Sequence, residues 1–190
     1  MKKISAVISL LLMVNMVFAQ SKRLQLFEEF TGENCGPCAS YNPGLNSLLS
    51  ANPAEIIGVT YQTAIPSTPP AGSLYSQNTS DVIARQSYYN VQFAPYGRHD
   101  GTVIQDPGTS PYHGHIRLLT QTEIDNRSAI TSPFSINVTH NYSPNRDSLY
   151  VAGTVTASAG FTSNGTFKLH LVMIEREIHL PAAIGTNGEK

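Results

Sequence analysis

Both cysteines of the chain fall in one tetrapeptide, Cys35-Gly36-Pro37-Cys38. Two cysteines allow one bridge at most, so a scaffold stapled by several disulfides is excluded and an ordinary apolar core must hold the fold. The chain has 190 residues and a net charge of −1, enough for one domain or one plus a small second module. Near-neutral charge without a basic block excludes electrostatic capture of nucleic acid as the main activity. Only 13% of residues are charged against 41% hydrophobic. That balance fits an exported, β-rich globular protein and not a disordered one.

The opening residues read as an address. Lys2 and Lys3 precede an apolar run over 4–18, and Val17-Phe18-Ala19 places small residues where a signal peptidase cuts. The run is short for a spanning helix and is followed at once by Gln20-Ser21-Lys22-Arg23. Residues 1–19 are therefore expected to be a signal peptide, with no transmembrane helix in the mature chain. The expected location is the periplasm or the outer-membrane or cell surface of a Gram-negative-type bacterium.

Periodicity organises the remainder. Alternation over 24–30 predicts a strand that ends at Thr31-Gly32, followed by the Cys-Gly-Pro-Cys segment and a weakly helical stretch reaching Leu49. The β-branched run over 56–61 predicts a buried strand, and the proline-rich residues 62–78 a long surface loop. A helix is expected over 79–90, after which residues 91–95 lead into a strand through Val103-Ile104. Thr120-Gln121-Thr122-Glu123 is a capping box opening a helix to about 131, which Pro133 stops. This order predicts an α/β sheet domain. After Pro133 the period changes to two. Residues 134–140, 149–156 and 167–174 predict three antiparallel strands, the start of an all-β, sandwich-type module that looks truncated at its end. The expected domains are 20–131 and 132–190.

A CxxC pair that opens a helix has a chemical purpose. Unpaired amides and the positive end of the helix dipole stabilise a thiolate, the nucleophile of disulfide exchange. The first thiol, exposed at the turn, is expected to attack, with a pKa below that of free cysteine, and the second to resolve the mixed disulfide. Pro37 suits the first helical turn, where a missing amide hydrogen costs little.

Cys-Gly-Pro-Cys after a hydrophobic strand resembles the thioredoxin active site. Glu29, six residues before Cys35, stands where that superfamily has a buried acid, and Pro43 where it has the proline that kinks the active-site helix. The resemblance implies catalytic roles for Cys35, Cys38 and Glu29, and a substrate-binding surface of Gly36, Pro37, Pro95 and Tyr96, with Pro95 as the cis-proline facing the dithiol. The segment Glu28-Glu29-Phe30-Thr31-Gly32-Glu33-Asn34-Cys35, the insert before Pro95 and the trailing β segment resemble one branch, the outer-membrane-protein-28-related family of exported bacterial proteins. Asn34 stands where thioredoxins carry tryptophan, so substrate contacts and potential do not transfer. The Gly-Pro pair leans towards a reducing couple.

The implied activity is thiol–disulfide exchange needing no cofactor, because the electrons reside in the dithiol. Its partners would be protein thiols and disulfides and an extracytoplasmic electron partner. The other reading is a surface binding or adhesion protein on the same scaffold with an inert disulfide. A zinc site would need His113 and His115 to complete the CxxC, and their spacing on a turn argues against it, so no metal is expected. Glu28 is expected to face solvent as the strand neighbour of Glu29, and Arg98, His99 and Asp100 to be exposed loop residues. His140, His170 and His179 read as ordinary residues of β patterns.

Overall fold

A computed structural model describes residues 22–69, 71–108, 112–158, 160–163, 165–175 and 178. The expected signal peptide and His179 lie outside these residues. The fold is α/β, and the chain divides into two compact units, chiefly 24–129 and 130–169.

In the larger unit the elements run β1 (Gln25–Thr31), α1 (Gly36–Ala51), β2 (Ile56–Gln62), α2 (Leu74–Gln77), α3 (Thr79–Tyr89), β3 (Tyr96–His99), a 3-10 turn (Ile116–Leu118) and α4 (Gln121–Ser128). β1 lies in the middle of a mixed sheet, parallel to β2 and antiparallel to β3. Its alternate side chains serve two cores. Phe27 packs with Leu45 of α1, Ile124 of α4 and Ile56, while Phe30 packs with Tyr89 of α3, Val91 and Tyr96. Apolar burial of this kind contributes roughly 1.5–3 kcal/mol per large side chain.

Helices on both faces overturn one expectation. Glu28 does not face solvent. It is 1% exposed, because an interior strand covered on both sides has no wet face. Its carboxylate accepts from Arg85 (Nε to Oε1 2.6 Å, a guanidinium Nη to Oε2 2.9 Å), from the Tyr89 hydroxyl (2.5 Å) and from the Tyr61 hydroxyl (3.2 Å). Burial pushes its pKa up, but the bonds from Arg85 and Tyr89 and the guanidinium charge outweigh that and hold it below the ordinary carboxylate value.

The expected strand through Val103-Ile104 is also corrected. β3 ends at His99, where Asp100 (φ 49°) and Gly101 (φ 75°) turn the chain through left-handed backbone. His99 and Thr102 exchange two backbone hydrogen bonds of 2.9 Å across that turn. Asp-Gly is a pair that a two-residue reversal selects. Arg98 and His99 therefore sit on a strand and not in a loop. His99 is fully buried, with Nε2 2.7 Å from Gln25 Oε1, and Arg98 lies over the rings of Tyr89 and Tyr96. The helix after Thr120 is shorter than expected, ending at Ser128, although Thr120 Oγ1 accepts from the Glu123 amide at 3.2 Å as a cap should.

Gly97 shows how tightly β3 closes on β1. A Cβ there would stand 2.3 Å from Phe27 Cζ. Gly97→Ala is expected to destabilise the fold by about 2 kcal/mol, since a rigid ring in a packed core must move. A urea midpoint unchanged from wild type would refute this.

The second unit holds β4 (Phe134–Tyr142) and β5 (Leu149–Ala157), paired antiparallel with Phe134 opposite Ala157 and Tyr142 opposite Leu149. Their turn is knit by Asp147, whose carboxylate accepts from Ser143, Asn145 and Ser148. Phe134, Phe161 and Phe167 cluster with ring centroids 4.8–5.6 Å apart. The third expected strand is absent: 167–174 carries no ladder. Alternation gives a segment a strand-like face, but it becomes a strand only when a neighbour takes up its backbone groups, and β4 and β5 pair with each other. His170 accordingly lies outside any strand, and His140 is exposed on β4.

Candidate active site

The end of β1 leads through a tight turn, closed by the Cys35 amide donating to the Gly32 carbonyl at 3.0 Å, into α1. Cys35 is the N-cap residue of that helix. Its backbone is extended (φ −107°, ψ 98°) and its Sγ accepts from the Cys38 amide at 3.2 Å. Gly36 and Pro37 fill the first two helical positions, where the absent Pro37 amide hydrogen has no helical acceptor to lose. Cys35 and Cys38 are joined in a disulfide with an S–S distance of 1.96 Å and a Cα–Cα distance of 5.1 Å. No acidic residue occupies the first turn to oppose a thiolate there.

One feature departs from expectation. Cys35 is not exposed at the turn: both cysteines are 0% exposed, whereas Gly36 and Pro37 face solvent and Asn34 is half-buried. The disulfide sits at a helix tip yet beneath the surface.

Behind it, Asn42 Nδ2 donates to Thr31 Oγ1 at 2.9 Å and ties the second turn of α1 to the end of β1. Pro43 lies inside the same helix. Glu29 stands two residues up β1 from Thr31 on the same face, is buried, and accepts from Thr60 Oγ1 at 3.1 Å across the β1–β2 register. Pro95 is buried and follows a cis peptide bond. Tyr96, next to it, pairs with Phe30 in the β1–β3 register. Pro95 is thus at the end of the sheet from which the Gly32–Cys35 turn departs. Burial raises the Tyr96 hydroxyl pKa, with Arg98 opposing the rise.

An aromatic group adjoins α1. The Tyr41 ring meets His115 edge-on with centroids 4.6 Å apart, and Phe93 contacts Tyr96, Tyr112 and His115. Burial, and then the Arg117 charge, lower the His115 pKa, and its Nδ1 accepts from the Arg117 amide at 3.1 Å. His113 Nδ1 instead accepts from the Asp106 amide at 3.0 Å. Among the described residues no group of three or more His, Cys, Asp or Glu side chains could hold a metal ion. No helix among them is long and apolar enough to cross a membrane.

Sequence reasoning passed over two residues. In the sequence Glu33 stands out only as a member of the Glu28–Cys35 segment, and Thr60 only as a member of the β-branched run over 56–61. A carboxylate in a turn is ordinarily solvated, and nothing local marks Glu33 as buried. For Thr60 the signal is its offset from Glu29, which emerges once β1 and β2 are paired in register.

No family model matches the chain, and no curated protein matches it. Among solved structures, HBP35 of Porphyromonas gingivalis is similar at 15% identity with a TM-score of 0.49, over 73% of this chain. The chain spans 44% of the length of that structure.

Proposed function

We propose that the chain is an exported, thioredoxin-like thiol–disulfide oxidoreductase. The observation that carries this reading is the Cys35–Cys38 disulfide held across the N-cap and first turn of α1, where a thiolate is favoured once the bond is reduced. The Cys35 thiolate attacks a protein disulfide, forming a mixed disulfide and expelling a substrate thiolate, which takes a proton from water. Cys38 then gives its proton to Glu29 and attacks Cys35 Sγ. That restores the Cys35–Cys38 bond and releases the second substrate thiol. Two electrons pass from the dithiol to the substrate, and an extracytoplasmic protein dithiol resets the cycle. Gly36 and Pro37, which face solvent, receive the substrate backbone, and Pro95 and Tyr96, both buried, take part only once their cover opens.

The test is turnover of the insulin disulfides by the dithiol form, coupled to dithiothreitol. Glu29→Gln is expected to slow turnover by about a hundredfold, the lower end of general acid–base contributions, and to flatten its pH profile. An unchanged profile would remove Glu29 from the mechanism. A second reading, a surface binding or adhesion protein with an inert disulfide, draws on the burial of both cysteines. Wild-type protein without insulin turnover would decide for it.

A further inference from the structure

Glu33 is a buried carboxylate that the chemistry above does not use. It is 2% exposed and lies two residues before Cys35. Its two oxygens accept from the amides of Leu74 (3.1 Å) and Tyr75 (3.4 Å), more than forty residues further along the chain. Ser73, just before those amides, is fully buried, and its Oγ accepts from the Ser76 amide at 3.3 Å. The same turn is gripped a second time. The Thr63 amide and hydroxyl donate to the Thr31 carbonyl at 2.6 and 2.9 Å, and a Cβ on Gly32 would stand 2.3 Å from the Ile65 carbonyl oxygen. Two stretches of the 62–78 segment thus hold the turn that delivers Cys35, a residue that is itself completely covered.

We propose that Glu33 is a positioning residue that governs access to the disulfide. Its carboxylate latches 73–75 onto the turn and keeps Cys35 covered, and release of the latch admits an attacking thiolate. The proposal rests on the oxidoreductase reading for its purpose and adds regulation of that site. A carboxylate held by charge-assisted bonds to two amides is secure while dry, yet regains hydration when it swings out, so the latch can open without unfolding the domain. In the gated step an incoming thiolate bonds to Cys35 Sγ. The Cys35–Cys38 bond breaks, and its electron pair leaves on Cys38 Sγ, which takes a proton from water. With dithiothreitol as the reductant, its second thiol then displaces Cys35. The dithiol ends oxidised and the protein carries two thiols.

The experiment follows reduction of the disulfide in the oxidised full chain by dithiothreitol, quenched in acid and read by alkylation and mass spectrometry. Glu33→Gln weakens the latch from one side. Leu74→Pro weakens it from the other, deleting one amide hydrogen while leaving Glu33 in place. Leu74 opens α2, and Ser73 before it is already extended (φ −64°, ψ 161°), so proline fits there. Both variants are expected to be reduced about tenfold faster than wild type, the equivalent of one lost charge-assisted bond. Gly97→Ala serves as a control that loosens the fold away from the latch. A folded Leu74→Pro protein reduced at the wild-type rate would overturn the proposal. So would an acceleration no greater than that of Gly97→Ala at equal loss of stability. These rates need no substrate turnover. Latch-dependent reduction in a protein that leaves insulin intact would therefore sustain the latch and refute the oxidoreductase, and turnover with equal rates would do the reverse.

Discussion

A Cys38→Ser protein is expected to accumulate a stable mixed disulfide through Cys35, and a Cys35→Ser protein to accumulate none. The difference follows from position. Cys35 caps α1, and its sulfur already accepts the Cys38 amide, so a thiolate there keeps that donor and the helix dipole. Cys38 lies inside the helix, with Gly36 and Pro37 forming the outer rim of the turn. Both cysteines are covered in the oxidised fold, so the difference rests on the capping position of Cys35. The measurement is the adduct with 5-thio-2-nitrobenzoate, counted by mass spectrometry after reaction of each reduced variant with the corresponding aromatic disulfide. One persistent adduct on Cys38→Ser, none on Cys35→Ser and rapid loss from wild type is the expected pattern. Equal adducts on both single variants would show two equivalent thiols and remove the division of labour on which the exchange mechanism depends.

The second large effect concerns stability. Glu28→Gln is expected to cost about 3 kcal/mol, because it leaves Arg85, Tyr89 and Tyr61 arranged around a charge that is gone. The figure is at the lower end for a broken buried pair, since the Arg85 side chain is 29% exposed and part of its charge is hydrated. A double-mutant cycle of Glu28→Gln with Arg85→Met isolates the pair, and a coupling energy below about 1 kcal/mol would refute it. Acidity should act in the same direction. Glu28 has a folded pKa below its ordinary value, so the unfolded chain binds more protons as the pH falls through the carboxylate range. The stabilisation is complete above the ordinary carboxylate pKa of 4.5 and is lost as the pH drops through the lower folded value. Wild type and Glu28→Gln should therefore converge in melting temperature on acidification. Curves that stay parallel would show that Glu28 is not the titrating group.

How far the sequence disclosed this molecule depends on whether a feature is local. Gln25–Thr31 and Ile56–Gln62 were legible because alternation and β-branched runs are properties of a few neighbouring residues. The disulfide was legible because both sulfurs lie in one tetrapeptide. The Thr120 cap was legible because its hydroxyl and the amide it receives are three residues apart. Features set by sheet order were not. Nothing in Glu28-Glu29 says that the strand will be interior, and the partners that permit burial of Glu28, namely Arg85, Tyr89 and Tyr61, all lie far along the chain. The prolines of 62–78 read as surface because prolines usually are, yet Thr63, Pro69 and Ser73 are buried against the turn before Cys35 or within their own segment. Residues 167–174 carry a strand pattern without a strand, since pairing is decided by a partner and not by the segment. Asp100-Gly101 was the missed local clue: it reverses the chain where a longer strand was expected.

β1 feeds the disulfide turn, and from Phe27 to Thr31 every one of its residues is buried. A stretch of this kind offers evolution no neutral face. Each of these five positions answers to a packed ring, a caged carboxylate or a hydroxyl anchor, so inherited variation that leaves the molecule intact must accumulate elsewhere.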